Sequence, residues 1–199
     1  MLPRLRRGTD KDTFDVCFVA AKYSRQGRDK GYDLFAEAAH LLARRFGDVR
    51  FHVVGGFDET DVDVSTVRDR FTFHGWRRPD FLAGMYAGMD VCLTPSRVSA
   101  LYPGSFDGLP LGIDAAYCGA VLFVSDPLGM NDHWSDREDI VVVPTQAEGI
   151  ADALAQYHED ESGLRELSTR GQRKAQHLFS TDLQIGRRLE VLTAEMARR

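Results

Sequence analysis

FDVCFVAAKYSRQGRDKGYDLFAEAAHLLARRFGDVRFHVV, residues 14–54, holds one complete strand–helix–strand unit. Phe14–Ala21 is apolar without alternation, as in a strand covered on both faces of a parallel sheet. Gly31–Phe46 places Phe35, Ala38, Ala39, Leu42 and Phe46 on one stripe at the 3.6-residue period, which predicts an amphipathic helix. Arg50–Val54 then reads as the second strand. The pattern continues outward. Arg70–Phe73, Asp90–Thr94, Ala120–Ser125 and Asp139–Val143 are further strands, rich in Val, Phe and Cys. Pro79–Ala87 and Pro110–Cys118 are helices with Pro at or near the first turn, and Gly119 caps the second. After the last strand come helices only: Ala147–His158, Ser162–Leu178, and a final one capped near Ser180–Asp182 with Leu189, Leu192 and Met196 on one stripe. Alternating elements of this kind predict a doubly wound α/β fold, a parallel sheet with C-terminal helices. Nothing splits the chain, so residues 1–199 read as one domain, with 1–13 as a flexible lead-in.

The composition agrees. A chain of 199 residues, 43% hydrophobic and 28% charged, buries a sizeable core and belongs to neither a disordered nor a membrane class. Lys and Arg number 25 against 30 Asp and Glu, a net charge of -5. That excludes a general nucleic-acid binder but leaves room for a local basic pocket that takes one small anion. Cys17, Cys92 and Cys118 sit in apolar runs without a C-x-x-C pair, so they read as small core residues in a reducing cytoplasm. The basic start, MLPRLRRGTDKDTF, lacks the apolar region of a secretory signal, and no window suits a membrane span. A soluble, cytoplasmic protein is expected.

In a doubly wound fold ligands lie beyond the carboxyl ends of the strands. The first such segment, Ala20 to Gly31, carries Lys22, Arg25, Arg28 and Lys30 together with Gly27 and Gly31. It suits either a solvated basic loop or a phosphate cradle, and matches neither a Walker A nor a G-x-G-x-x-G pattern. The second, Val53-Val54-Gly55-Gly56-Phe57, is either a tight turn or a floor for a nucleotide. The third, Phe73-His74-Gly75-Trp76, offers His74, which is either a ligand or an ordinary satisfied histidine. The fourth runs from Thr94-Pro95-Ser96 to Phe106-Asp107-Gly108-Leu109-Pro110-Leu111-Gly112-Ile113-Asp114. There a glycine turn enters a helix with Pro110 expected at its first position, and the free N–H groups make an anion site. Asp107 is either a helix cap or a sugar ligand. Asp114, two turns on, projects to nearly the same face.

DKGYDLFAEAAHLL, HVVGG, FTFHGW, LTPS and DGLPLGIDAAYCGAVLFVSD, in that order, resemble the nucleotide-sugar-binding half of GT-B glycosyltransferases, retaining family 4 (glycosyl transferases group 1). The likeness spans about Phe14 to Tyr157 and implies a Rossmann-like, donor-binding C-terminal half domain. It implies Lys30-Gly31 as the pair that holds the donor diphosphate, with Lys22 and Arg25 beside it. Ala21-Lys22 stands where the family has Gly-Arg. It implies Asp114 on the ribose, in the second position of the family's Glu-x7-Glu motif. Eight residues back stands Phe106, so Asp107 takes the first role only with a turn one residue shorter. Lys30 and Asp107 are thus the catalytic candidates. Gly55, Gly56, His74, Pro95, Ser96, Gly108, Leu109 and Pro110 complete the donor contacts. The implied activity is transfer of a glycosyl group from a UDP- or GDP-sugar to an acceptor, with retention and without an obligatory metal or other cofactor. Fixed cations and helix N–H groups stabilise the departing diphosphate. The acceptor half of such an enzyme would come from an N-terminal domain or a partner chain. Two other readings stay open: a non-catalytic binding or structural domain that acts with a partner, and a hydrolase using Ser96 or Ser105 with His74 or His133. The latter lacks a G-x-S-x-G elbow.

Overall fold

The computed structural model describes residues 11–98, 108–129 and 132–198. Its centre is a six-stranded parallel sheet in the order β3-β2-β1-β4-β5-β6. The strands are β1 (Phe14–Val19), β2 (Val49–Val54), β3 (Phe71–Gly75), β4 (Val91–Thr94), β5 (Val121–Val124) and β6 (Val141–Val142). The helices are α1 (Tyr32–Arg45), α2 (Pro79–Gly88), α3 (Gly108–Tyr117), α4 (Ala147–Glu159), α5 (Glu161–Leu178) and α6 (Thr181–Ala197). The fold is the doubly wound, Rossmann-like α/β architecture that the alternating pattern predicts. Strand order reverses between β1 and β4, which pair through Val16 with Val91 and Cys17 with Cys92.

Each face of the sheet has its own apolar layer. Phe14, Val16, Phe18 and Phe51 pack with Phe35, Leu42, Ile150 and Leu154 of α1 and α4. On the opposite face Cys17, Cys92, Leu122 and Val124 meet Tyr86 of α2, Ala115 and Ala116 of α3, and Ala175 of α5. Burial on both sides is why the strands lack alternation. Phe18 anchors the first layer, with ring centroids 5.3 Å from both Phe35 and Phe57. Among the described residues no helix is long and apolar enough to cross a membrane.

Several boundaries move. Helix α3 starts at Gly108, so Pro110 is third in the helix rather than first. A proline there costs no intrahelical bond, because first-turn amides have no acceptor in the helix. Gly119 follows α3 at φ 99°, and its N–H reaches Ala116 O at 2.9 Å. Ser180 caps α6 by accepting from the Leu183 N–H. The expected Asp139–Val143 strand shrinks to Val141–Val142, because the Asp139 N–H closes a turn on Ser135 O at 3.0 Å. Of the expected lead-in, residues 1–10 lie outside the described residues. Lys11 is held by Gly88 O at 2.6 Å, Asp90 at 2.8 Å and Asp15 at 2.9 Å.

Candidate functional site

The β1–α1 loop leaves the sheet at Ala20, whose N–H still bonds Val54 O at 3.2 Å. A 3-10 turn at Arg25–Gly27 carries Gln26 and Gly27 through positive φ. The Lys30 N–H then bonds Gly27 O at 3.1 Å, and the Phe35 N–H bonds Gly31 O at 2.9 Å to start α1. Gly31 sits at φ 75°, and a Cβ there would lie 2.0 Å from Pro95 O. The loop after β1 and the end of β4 therefore touch backbone to backbone at the reversal point of the sheet. Arg97 ties them again: its guanidinium donates to Asp33 at 2.8 and 2.9 Å, and its N–H to Asp29 O at 3.1 Å.

Lys30 is buried, with Nζ 5.4 Å from the centroid of the exposed Tyr23 ring. Lys22 turns the other way, and its Nζ donates to Asp61 at 2.5 Å. Arg28 is exposed, 3.8 Å from Asp33. The Arg25 side chain, Asp107, and the side chains of Leu109 and Pro110 lie outside the described residues; Gly108, Leu109 and Pro110 form the first turn of α3.

A cleft of about 260 Å³ opens beyond the carboxyl ends of β1 and β2. Ala20, Ala21 and Gly55 line its floor, Trp76 and Arg77 one side, and Leu82, Tyr86 and Asp114 the helical side. Gly55, at φ 125°, allows the floor to close: a Cβ there would lie 2.0 Å from Ala20 O. Trp76 lies over Gly56, whose Cβ would meet the indole Nε1 at 3.3 Å. Asp114 is exposed at the rim. Burial, and then the Asp114 charge, push the nearby Cys118 thiol up. Of the sequence-predicted residues, Gly55 and Asp114 line this cleft, and Lys30, Gly31, Pro95 and Ser96 gather around the Gly31–Pro95 contact. Thr94 Oγ1 and Ser96 Oγ are buried and have no hydrogen-bond partner among the described residues. Trp76, Arg77 and Tyr86 were not singled out from sequence. An aromatic residue directly after a strand-end glycine was the available signal for Trp76.

His74 belongs to a different arrangement. Its Nε2 lies 3.2 Å from His52 Nδ1, and His52 Nε2 lies 2.7 Å from Asp15 Oδ1. His52 thus bridges His74 and Asp15, one ring nitrogen toward each. Burial would raise the Asp15 carboxyl, but the His52 hydrogen bond and the Lys11 ammonium outweigh it and hold Asp15 well below the usual carboxylate range. Burial first, then the charges of His52 and Arg77, push His74 below its ordinary 6.5. Both shifts act in one direction. The His74 contribution is complete above pH 6.5 and is lost as pH falls through the depressed native value; that of Asp15 is complete above 3.8 and is lost at still lower pH. The urea midpoint should therefore fall on acidification below pH 6.5, and His74→Phe should flatten that part of the profile. An unchanged slope in His74→Phe would refute the assignment.

No described histidine bonds Ser96, and His74 is engaged with His52, so the hydrolase reading finds no assembled pair; Ser105 lies outside the described residues. Among the described residues no group of three or more His, Cys, Asp or Glu is placed to hold a metal ion.

The profile of the family described as "Glycosyl transferases group 1" matches residues 13–160. A search of curated proteins finds no match. Among solved structures, sucrose-phosphate synthase (tll1590) of Thermosynechococcus elongatus is 26% identical, with TM-score 0.66 over 92% of this chain and 46% of its own. Anabaena Alr3699/HepE, solved with UDP and glucose, is 19% identical, with TM-score 0.72 over 92% of this chain and 49% of its own. The C-terminal domain of the group 1 glycosyl transferase LpcC of Francisella tularensis is 17% identical, with TM-score 0.68 over 86% of this chain and 88% of that domain. The chain thus spans about half the length of the first and second of these, 46% and 49%. With 148 of 199 residues inside the matched segment (13 through 160), the chain belongs to the glycosyl transferases group 1 family.

Proposed function

We propose that this chain is the C-terminal, donor-binding half of a retaining family 4 glycosyltransferase and holds a nucleoside diphosphate sugar beyond the ends of β1, β2 and β4. The observation that carries this reading is the meeting, at the reversal point of the sheet, of Lys30-Gly31 with Pro95 beside a cleft that holds Gly55 and Asp114. In this reading the Lys30 ammonium takes the diphosphate, and the first-turn N–H groups of α3 (Gly108, Leu109, Pro110 excepted for its missing N–H) add their partial positive charge. Asp114 accepts from ribose hydroxyls, and Asp107 stands beside the sugar. As the bond to the diphosphate breaks, charge builds on its oxygens, and fixed cations aimed there lower the barrier without an obligatory metal. The acceptor is supplied by an N-terminal domain or a partner chain, in the cytoplasm.

Calorimetric titration with UDP, GDP and their sugars tests the reading, and absence of binding at millimolar concentration would sink it. Asp114→Ala should weaken UDP binding about fivefold, near 1 kcal/mol, because this exposed carboxylate competes with water. Ligands lacking the 2′- and 3′-hydroxyls should lose the same amount against the unchanged protein and nothing further against the variant. A second reading, a binding domain without transfer, is favoured by one observation: Lys22 stands in place of the family's Gly-Arg and is taken up by Asp61. Donor binding without turnover in the presence of an acceptor half would select it.

A further inference from the structure

The Lys22–Asp61 ion pair joins two segments that are already joined without it. Phe57 packs edge-on against Phe18, with ring centroids 5.3 Å apart, and its ring centroid lies 4.7 Å from that of Tyr32. The same ring closes on the β1–α1 loop, where a Cβ on Gly27 would stand 2.3 Å from it. Asp61, four residues on, is placed by its own turn. Its Oδ2 accepts from the Asp58 N–H at 3.0 Å, and Asp58 Oδ1 accepts from the Thr60 N–H and hydroxyl at 2.8 and 2.6 Å. The Asp61 carboxylate therefore keeps its place with or without the ammonium. Its side chain is 8% exposed against 30% for that of Lys22. The partner able to swing is the lysine, whose charge sits at the end of a long flexible stem. That stem starts at the cleft, since Ala20 and Ala21 line the floor and Lys22 follows directly.

We infer that Asp61 is a competing counter-ion: it holds Lys22 off the donor site, and a bound nucleoside diphosphate draws the ammonium away from it. The inference rests on donor binding, which both readings above share. A diphosphate carries more than one negative charge and so outcompetes a single carboxylate for the same cation. The exchange leaves Asp61 with the Asp58 N–H as donor and without its cation, at a position that water reaches poorly. Stripping a mostly covered carboxylate of its partner is unfavourable, and that loss is subtracted from the affinity for the ligand. Asp61 thus sets the affinity of the site downward, acting through Lys22. A plain strut between the two loops would do none of this, and the Phe57 packing makes such a strut redundant.

Calorimetry of the full chain with UDP and GDP, each against its bare nucleoside, tests this as a double-mutant cycle. Asp61→Asn keeps the shape and the acceptor for the Asp58 N–H but loses the charge. It should tighten diphosphate binding about fivefold, the upper end for a partly exposed ion pair, and leave the nucleoside unchanged. Its urea midpoint should stay near that of the wild type. In a Lys22→Met background the same substitution should gain less than about twofold, because no ammonium remains to be released. An equal or larger gain there would mean that the Asp61 charge acts on the phosphates directly, and overturns the inference. A lowered urea midpoint with unchanged diphosphate affinity makes the pair a strut and overturns it too. A wild-type chain and an Asp61→Asn variant that both fail to bind either diphosphate overturn the donor-binding reading together with this one. Wild-type binding that is indifferent to Asp61→Asn overturns this inference alone.

Discussion

Gly31→Ala should lower the stability of the chain by about 4 kcal/mol, the sum of a left-handed backbone and a clash that neither neighbour can relieve. The φ of 75° alone costs an alanine about 1–2 kcal/mol. The remainder comes from Pro95 O, 2.0 Å from the added Cβ, which is backbone and fixed by the end of β4. Two companions separate the causes. Gly129 has φ 63° and, among the described residues, nothing within 4 Å of an added Cβ, so Gly129→Ala should cost only about 1 kcal/mol. Asn tolerates left-handed φ, yet Gly31→Asn should fare as badly as Gly31→Ala, because the contact persists. Urea unfolding of the three variants reads this directly. A Gly31→Asn variant close to wild type would show that the Gly31–Pro95 approach is not maintained in solution.

Lys30→Met should weaken UDP affinity about a hundredfold with little change in fold. The buried stem of Lys30 is replaced by an unbranched apolar one of similar length, so packing survives while the ammonium is lost. A charge-assisted bond to phosphate contributes roughly 1.5–3 kcal/mol, and burial keeps water from replacing it. The effect should be larger for UDP than for uridine, which has no phosphate for the ammonium to meet. Equal losses for the two ligands, or no loss for UDP, would place the diphosphate elsewhere.

The fold was legible because burial on both faces writes itself locally: Phe14–Val19 and Val91–Thr94 are apolar at every or nearly every position, and α1 shows its stripe at the helical period. Ends were less legible. A strand stops where the partner's hydrogen bonds stop, and β6 yields Asp139 to a turn on Ser135 that no local pattern announces. The site divides in the same way. Of the candidate residues, Lys30 and Gly31 stand out by type and by place after β1, and Asp114 by its place on the helix α3. That Lys22 would be taken by Asp61 depends on how two loops meet, and that His52 would stand between Asp15 and His74 depends on the register of β2 against β1 and β3. Trp76 gave no periodic signal, and its place over Gly56 follows from the pairing of β2 with β3.

The interlock of Gly31 with Pro95, reinforced by Arg97 on Asp33, has a thermodynamic side. Two loops from opposite halves of the sheet are immobilised before any ligand arrives, so the entropy of ordering them is charged to folding and not to association. On the proposed reading, donor affinity at this joint and global stability share a cause: whatever loosens the joint weakens both together.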